Sequence, residues 1–353
     1  MERILVVGNN VRNVVQSAFK SGFEVYALTK FVDSDLALFS KKVYLIEEES
    51  REWVLERANE LAERYNARVV LASGYEDIEV KADVLGCEPS KIHDVVDKLK
   101  FYRKLESAGL PFPELKSEVD GRVIVKPIRG GGGEDIKLLE NEICGKDFLI
   151  QEYIEGFPCS ASLIVGKDAE VISLNRILAG WSEMNADGFR YSGNTTPLDV
   201  KQELRKKLSR LAVELCELFE LKGSVGVDFV VDRNMNPYII EMNPRFQGSL
   251  DAIEWSMDVS LFRLHYLAVE GKKVEVPKAR RFAGRFVLFA DRTIEIRRNL
   301  FGNPFFADIP FKGTVYQKDD PVVSILCSGN SESDVMEKAV DRRNLFLKLN
   351  HSA

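Results

Sequence analysis

The residues best placed to do chemistry lie in GSVGVDFVVDRNMNPYIIEMNPRF, which runs from Gly223 to Phe246. Two apolar runs flank the polar turn Asp232-Arg233-Asn234-Met235-Asn236-Pro237, the pattern of a β-hairpin. With the turn centred between Asn234 and Met235, Asp228 falls opposite Glu241 and Gly226 opposite Asn243. Alternate residues of a strand share a face, so Glu241 and Asn243 point the same way. Two carboxylates and an amide then converge, with Gly226 leaving the space above them open. Facing carboxylates repel without a cation. Hard oxygen donors suit Mg²⁺, which takes one or two carboxylates together with phosphate oxygens. The bland alternative is a solvent-facing hairpin with incidental acids. Against it, Val225, Val227, Phe229, Ile239 and Ile240 read as buried.

A second stretch, VIVKPIRGGGGED, places Lys126 on a strand and Gly130, Gly131, Gly132 and Gly133 in the loop after it. Without Cβ atoms, backbone N–H groups can close on phosphate oxygens, and the loop can move as a lid. No G-K-[ST] ends the loop, so this is not a Walker A motif. Lys126 would supply a fixed cation for phosphate charge. The plain alternative is a mobile turn with a surface lysine. In the third stretch, FLIQEYIEG, the backbone of Glu152 and Ile154 can read an adenine edge, with Tyr153 or Ile154 packing on its face. By itself that stretch reads more simply as a core strand.

These residues need elements to hold them. The first ~90 residues alternate strand and helix. Strands are expected at Ile4–Val7, Glu24–Leu28, Lys42–Ile46 and Arg68–Ala72, with a helix after Gly8 that Gly22 caps and another over Arg51–Tyr65. The continuous apolar runs suit a parallel sheet buried on both faces. Its first turn, GNNVRN, lacks the G-x-G-x-x-G fingerprint, so a dinucleotide site there is weakly supported. One helix is expected from Ile92 to Ala108, ending at AGLPFP. Strands follow at RVIVKP, DIKLLE, DFLIQEYI, Ser160–Ile164 and Ala169–Ser173, then a helix from Gln202 to Leu221 with a leucine stripe that is simply core. A helix near Val259–Glu270 and a strand-rich end, with RFVLFA, PVVSILCSG and a closing helix, complete the chain. The expected division is 1–92, 93–275 with a lid subdomain near 118–150, and 276–353.

Composition excludes several classes. A net charge of -6 disfavours bulk nucleic-acid or acidic-membrane binding, so an anionic ligand would need local cations. The five cysteines and three histidines are scattered, without zinc spacing, as in a reduced cytoplasmic protein. No apolar run approaches the ~18 residues of a membrane span.

The order Asp97-Lys98, AGLPFP, VIVKP with its glycine loop, QEYIEG, G-x-D-F and IIEMNPR resembles the ATP-grasp superfamily. That resemblance covers roughly the whole chain. It implies an α/β (α+β) fold: a Rossmann-like N-terminal domain, a two-lobed ATP-grasp core, and a strand-rich C-terminal extension like that of biotin carboxylases. It implies ATP and Mg²⁺, with Mn²⁺ as an alternative ion. Lys98 and Lys126 look like the phosphate-binding lysines, and Gly130 to Gly133 like the phosphate lid. Gln151 stands where the family often has an acid near the adenine amine, and Glu152, Tyr153 and Ile154 look like the adenine hinge. Asp228, Glu241 and Asn243 look like the metal ligands. Arg245 stands where related enzymes keep an arginine for an acyl-phosphate or bicarbonate. The family's ribose-binding acid is replaced by Phe157-Pro158-Cys159, for which Glu155 is the candidate substitute.

QEYIEGFPCSAS, SLNR and YSGNTTPL look like a carboligase-like subgroup near the tyramine–glutamate ligases. The stretch Trp181–Pro197, with Asn185, Arg190, Tyr191 and Asn194, borders an acceptor site or is merely a structural loop. The implied activity is ATP-dependent joining of a small carboxylate to an amine through an acyl-phosphate, with a homodimer compatible. A second reading is bicarbonate activation, since EMNPRFQ keeps Arg245 and Gln247; Ser249, however, takes the place of that family's catalytic acid. A third is a nucleotide-binding regulator without turnover.

Overall fold

The computed structural model describes residues 1–48, 50–128, 136–140 and 148–350. Gly130 to Gly133, the expected phosphate lid, lie outside the described residues.

Strands β1 (Arg3–Gly8), β2 (Glu24–Thr29), β3 (Lys42–Leu45) and β4 (Arg68–Leu71) form a parallel sheet in the order β3-β2-β1-β4. Both faces are covered, which explains the unbroken apolar runs. Ile4 and Val6 pack with Val14 and Val15 of helix α1 (Arg12–Lys20) and with Val11 at its start. Leu5 and Val7 pack with Val54, Ala58 and Leu61 of helix α3 (Arg51–Tyr65), beyond the short α2 (Leu36–Phe39). Gly22 follows α1 at φ +87°, a left-handed position that a β-carbon would strain.

The helix expected over Ile92–Ala108 is two helices, α4 (Pro89–Val96) and α5 (Lys98–Ser107). Asp97 breaks them. Its backbone is extended and its carboxylate accepts from the N–H groups of Leu99 and Lys100, both at 3.1 Å. An aspartate is better satisfied capping a helix start than inside one. The break starts a new helix at Lys98.

Strands β5 (Leu115–Lys116), β6 (Arg122–Pro127), β7 (Lys137–Glu140) and β8 (Phe148–Glu152) make an antiparallel sheet in the order β5-β8-β6-β7. Next come β9 (Gly156–Val165), β10 (Ala169–Ala179), β11 (Tyr191–Thr196), β12 (Gly223–Asp232), β13 (Pro237–Asn243), β14 (Phe282–Phe289), β15 (Ile294–Glu295), β16 (Phe306–Ala307), β17 (Val315–Tyr316) and β18 (Pro321–Gly329). All but the β15-β17 ribbon join one eight-stranded sheet, β13-β12-β9-β10-β11-β14-β18-β16. The strands after Pro277 therefore extend the central sheet, through β14 on β11. Trp181–Pro197 contributes β11 to the middle of that sheet. Helix α6 (Gln202–Leu218) buries Leu204, Leu208, Leu211 and Leu215 against β9 and β10, while Leu218 is only half-buried. Helix α7 (Leu250–Met257) has no counterpart in the sequence reading, because its buried Asp251 and Glu254 hide the apolar period. Helices α8 (Leu261–Val269) and α9 (Glu332–Asn350) complete the chain.

A buried ionic cluster ties α1, α7 and the C-terminal strands together. Arg12 is wholly buried and pairs with Asp251 at 2.6 Å and Asp308 at 2.9 Å; Arg285 of β14 pairs with Asp308 at 2.7 Å. Among the described residues, no helix is long and apolar enough to cross a membrane.

Candidate active-site cleft

The hairpin β12-β13 pairs Asp228 with Glu241 and Gly226 with Asn243. Nearer the turn, Phe229 faces Ile239 and Val231 faces Pro237, which centres the turn on Asn234 rather than after it. A bulge at Ile240 absorbs the difference and restores the register at the acids. The space above Gly226 is not open: a Cβ there would lie 2.4 Å from Gln247 Cγ, so the glycine makes room for the glutamine.

A cleft of about 410 Å³ lies between this hairpin and the β5-β8 sheet. Lys126, Gln151, Glu152, Tyr153, Ile154, Asp228, Glu241, Asn243 and Arg245 all line it. Lys98 approaches from α5, its Nζ 3.9 Å from Glu241 Oε1. Lys126 is only 4% exposed and donates to the Tyr102 hydroxyl at 2.7 Å. Tyr102 in turn donates to the Ile240 carbonyl at the bulge. Tyr102 escaped the sequence reading, although it follows Lys98 by one helical turn on the apolar stripe of Phe101 and Leu105.

Electrostatics reflect the burial. Desolvation pulls the Lys126 ammonium down to about 7, with Glu241 opposing and Lys98 adding to the shift. Desolvation pushes the Asp228 carboxyl up to about 7; the Glu241 charge adds to this, while Arg245 and the Asn243 hydrogen bond oppose it. Each is a charge held ready for an opposite one.

That donor set fits a hard divalent cation. Two carboxylates face each other in the cleft beside two lysines, where a cation relieves their repulsion. Among the described residues no group of three or more His, Cys, Asp or Glu side chains is arranged to hold a metal ion, so a cation here would need neutral oxygens beside the two acids. Asn243 is less ready than the acids. Its Nδ2 faces Asp228 Oδ2 at 3.3 Å and its Oδ1 accepts from Arg245 Nη2 at 2.9 Å. Arg245 also donates through Nε to Glu76 of the N-terminal domain at 2.5 Å, a partner the sequence did not suggest.

At the other end, Gln151 donates to the Pro113 carbonyl at 3.0 Å. The Glu152 amide is already committed to the Glu114 carbonyl at 2.9 Å, which removes it from base recognition. The Ile154 amide has no acceptor among the described residues. Arg122 lies over the Tyr153 ring at 4.4 Å, fixing it at the cleft wall. Glu155 does not line the cleft; it is exposed and pairs with Arg233 of the hairpin turn at 2.6 Å, because that turn folds over the β8-β9 corner. Of the Trp181–Pro197 residues, Phe189, Tyr191 and Asn194 line the cleft. Asn185 instead donates to the Phe289 carbonyl and Arg190 pairs with Asp319, both outside it.

Comparisons with known proteins follow this geometry. A family model described as an ATP-grasp domain matches residues 95–249. An uncharacterized protein of Methanocaldococcus jannaschii is 31% identical over 94% of this chain and 89% of its own length. The tyramine–L-glutamate ligase of Methanocaldococcus fervens is 32% identical over 47% of this chain, which spans half of that enzyme. Among solved structures, a biotin carboxylase from Campylobacter jejuni superposes with a TM-score of 0.78, covering 99% of this chain and 91% of that one at 15% identity. An L-amino acid ligase from Bacillus licheniformis gives 0.73 over 98% and 97% at 13% identity. With its Rossmann-like parallel sheet, its paired antiparallel sheets and the motif order carried by this cleft, the chain belongs to the ATP-grasp superfamily.

Proposed function

We propose that this protein is an ADP-forming ligase that activates a small carboxylate with ATP and joins it to an amine. The observation that carries the reading is the convergence of Lys98, Lys126, Asp228 and Glu241 on one cleft that ends in the Gln151–Ile154 hinge. Adenine would lie against Tyr153 and Ile154, accepting from the Ile154 amide. Lys126 and Lys98 hold the phosphate oxygens and balance charge at the γ-phosphoryl as it transfers. Asp228 and Glu241 would hold Mg²⁺, which would supply countercharge for the phosphates. The substrate carboxylate attacks the γ-phosphorus, releasing ADP and forming an acyl-phosphate. Arg245, held by Glu76, pairs the acyl oxyanion. The amine then attacks the acyl carbon, phosphate leaves, and an amide results.

Bicarbonate activation is the second reading, favoured by Arg245 and Gln247 side by side at the cleft. Ser249 weighs against it: its hydroxyl lies 3.1 Å from that of Ser162, and it is no general base. The test is phosphate release from ATP with paired amino acids and amines, with and without bicarbonate. Turnover needing an acid and an amine, lost in Glu241→Gln, is the expected result. Turnover driven by bicarbonate alone, or undiminished in the variant, would overturn the assignment.

A further inference from the structure

Away from the metal-binding acids, the cleft wall holds a polar chain whose directions are all set. Arg285 of β14 is the cross-strand partner of Asn194 on β11, and its guanidinium lies against the Tyr191 hydroxyl. An arginine can only donate, so the tyrosine oxygen faces it as acceptor. The Tyr191 O–H then donates to Asn194 Oδ1 at 2.9 Å. This fixes the asparagine amide with its nitrogen as the free end. Asn194 is 1% exposed, it lines the cleft, and its Nδ2 has no hydrogen-bond partner among the described residues. A buried donor left unpaired carries an uncompensated desolvation cost, so such a group calls for an acceptor. Gly248 keeps the approach clear, since a Cβ there would lie 3.1 Å from the Tyr191 oxygen.

We infer that Asn194 is a specificity residue that hydrogen-bonds a carbonyl or carboxylate oxygen of an organic co-substrate, held at the far wall of the cleft. This rests on the ligase reading and sharpens it. Strands β9 and β10 separate β11 from β12, which carries Asp228. Three strand spacings amount to roughly 14 Å. The wall beside Asn194 is apolar, made by Ile177, Ala179 and Phe189. A co-substrate that reacts at the phosphate end and also reaches Asn194 therefore has an extended, partly apolar body. Bicarbonate has neither the length nor the need for such a wall.

The experiment follows the Asn194 side-chain amide by ¹⁵N NMR of the full chain, assigned by its disappearance in Asn194→Asp. The protein is saturated with Mg²⁺ and a non-hydrolysable ATP analogue. It is then titrated in turn with the common amino acids, with tyramine, and with bicarbonate. At least one organic probe is expected to shift the Asn194 pair, while bicarbonate does not. For that probe, Asn194→Asp should weaken binding at least tenfold with the nucleotide affinity changed less than twofold. An unmoved amide with every organic probe, as when a water shared with the unpartnered Asn175 Oδ1 satisfies it, overturns the inference; so does a response to bicarbonate alone. Nucleotide binding read in the same samples separates the two claims. If it is intact while the amide stays still, only this inference fails. If it is absent, the ligase reading fails.

Discussion

Replacing Tyr102 with phenylalanine removes one oxygen and tests how Lys126 is held. That oxygen accepts from Lys126 and donates to the Ile240 carbonyl. Lys126 is 4% exposed, while Ile240 is half-buried at the hairpin bulge. The phenyl ring still fills the space, and the cation–π contact of Lys126 at 5.0 Å from the ring centroid survives. What is lost is hydrogen bonding alone. A buried polar group left without a partner costs about 1–3 kcal/mol, and with Lys126 buried but Ile240 only half-buried the two together amount to about 2–4 kcal/mol. At about 2 °C per kcal/mol for a chain of this size, the melting temperature should fall by roughly 4–8 °C. MgATP should return about half of the loss, because a phosphate oxygen gives Lys126 a new acceptor while the Ile240 carbonyl stays unpaired. Thermal unfolding of the wild type and Tyr102→Phe, each with and without MgATP, reads all of this. A variant as stable as the wild type would refute the tether. A deficit that MgATP leaves untouched would refute the placement of Lys126 on the phosphates.

Three further outcomes follow. Lys126, drawn down to about 7 by burial, is largely neutral above that pH in the nucleotide-free protein. Affinity for ATP should therefore weaken from pH 7.5 to pH 9, approaching tenfold per unit, and Lys126→Arg should flatten that slope in a fluorescent-nucleotide titration. Arg12→Leu leaves Asp251 and Asp308 buried with less countercharge, and should destabilise the fold by about 3–5 kcal/mol in urea unfolding. Glu155→Ala should change ATP affinity less than twofold by the same titration, since that carboxylate pairs with Arg233 outside the cleft.

Periodicity carried much of the fold. The N-terminal parallel sheet, the leucine stripe of α6 and the hairpin with Asp228 opposite Glu241 were all legible from apolar spacing and turn residues. The hairpin is instructive, because the turn lay slightly elsewhere and the Ile240 bulge put the acids back in register. Local chemistry beat periodicity at Asp97, whose capping hydrogen bonds split one expected helix into two. Buried acids hid α7, whose Asp251 is paired with Arg12 across a sequence distance that no local pattern reveals. Glu76, Tyr102 and Arg285 act on the cleft from three separate regions of the chain, so only the fold brings them to it. Glu155 was misleading in the opposite sense: it is adjacent in sequence to the hinge but drawn outward by Arg233.

The account stands on a divalent cation held between Asp228 and Glu241. Mn²⁺ binding followed by electron paramagnetic resonance, with a non-hydrolysable ATP analogue present, tests it directly. Tight Mn²⁺ binding in the wild type that weakens at least tenfold in both Asp228→Asn and Glu241→Gln, with thermal stability retained, is the predicted result. Unchanged Mn²⁺ affinity in either folded variant would contradict it.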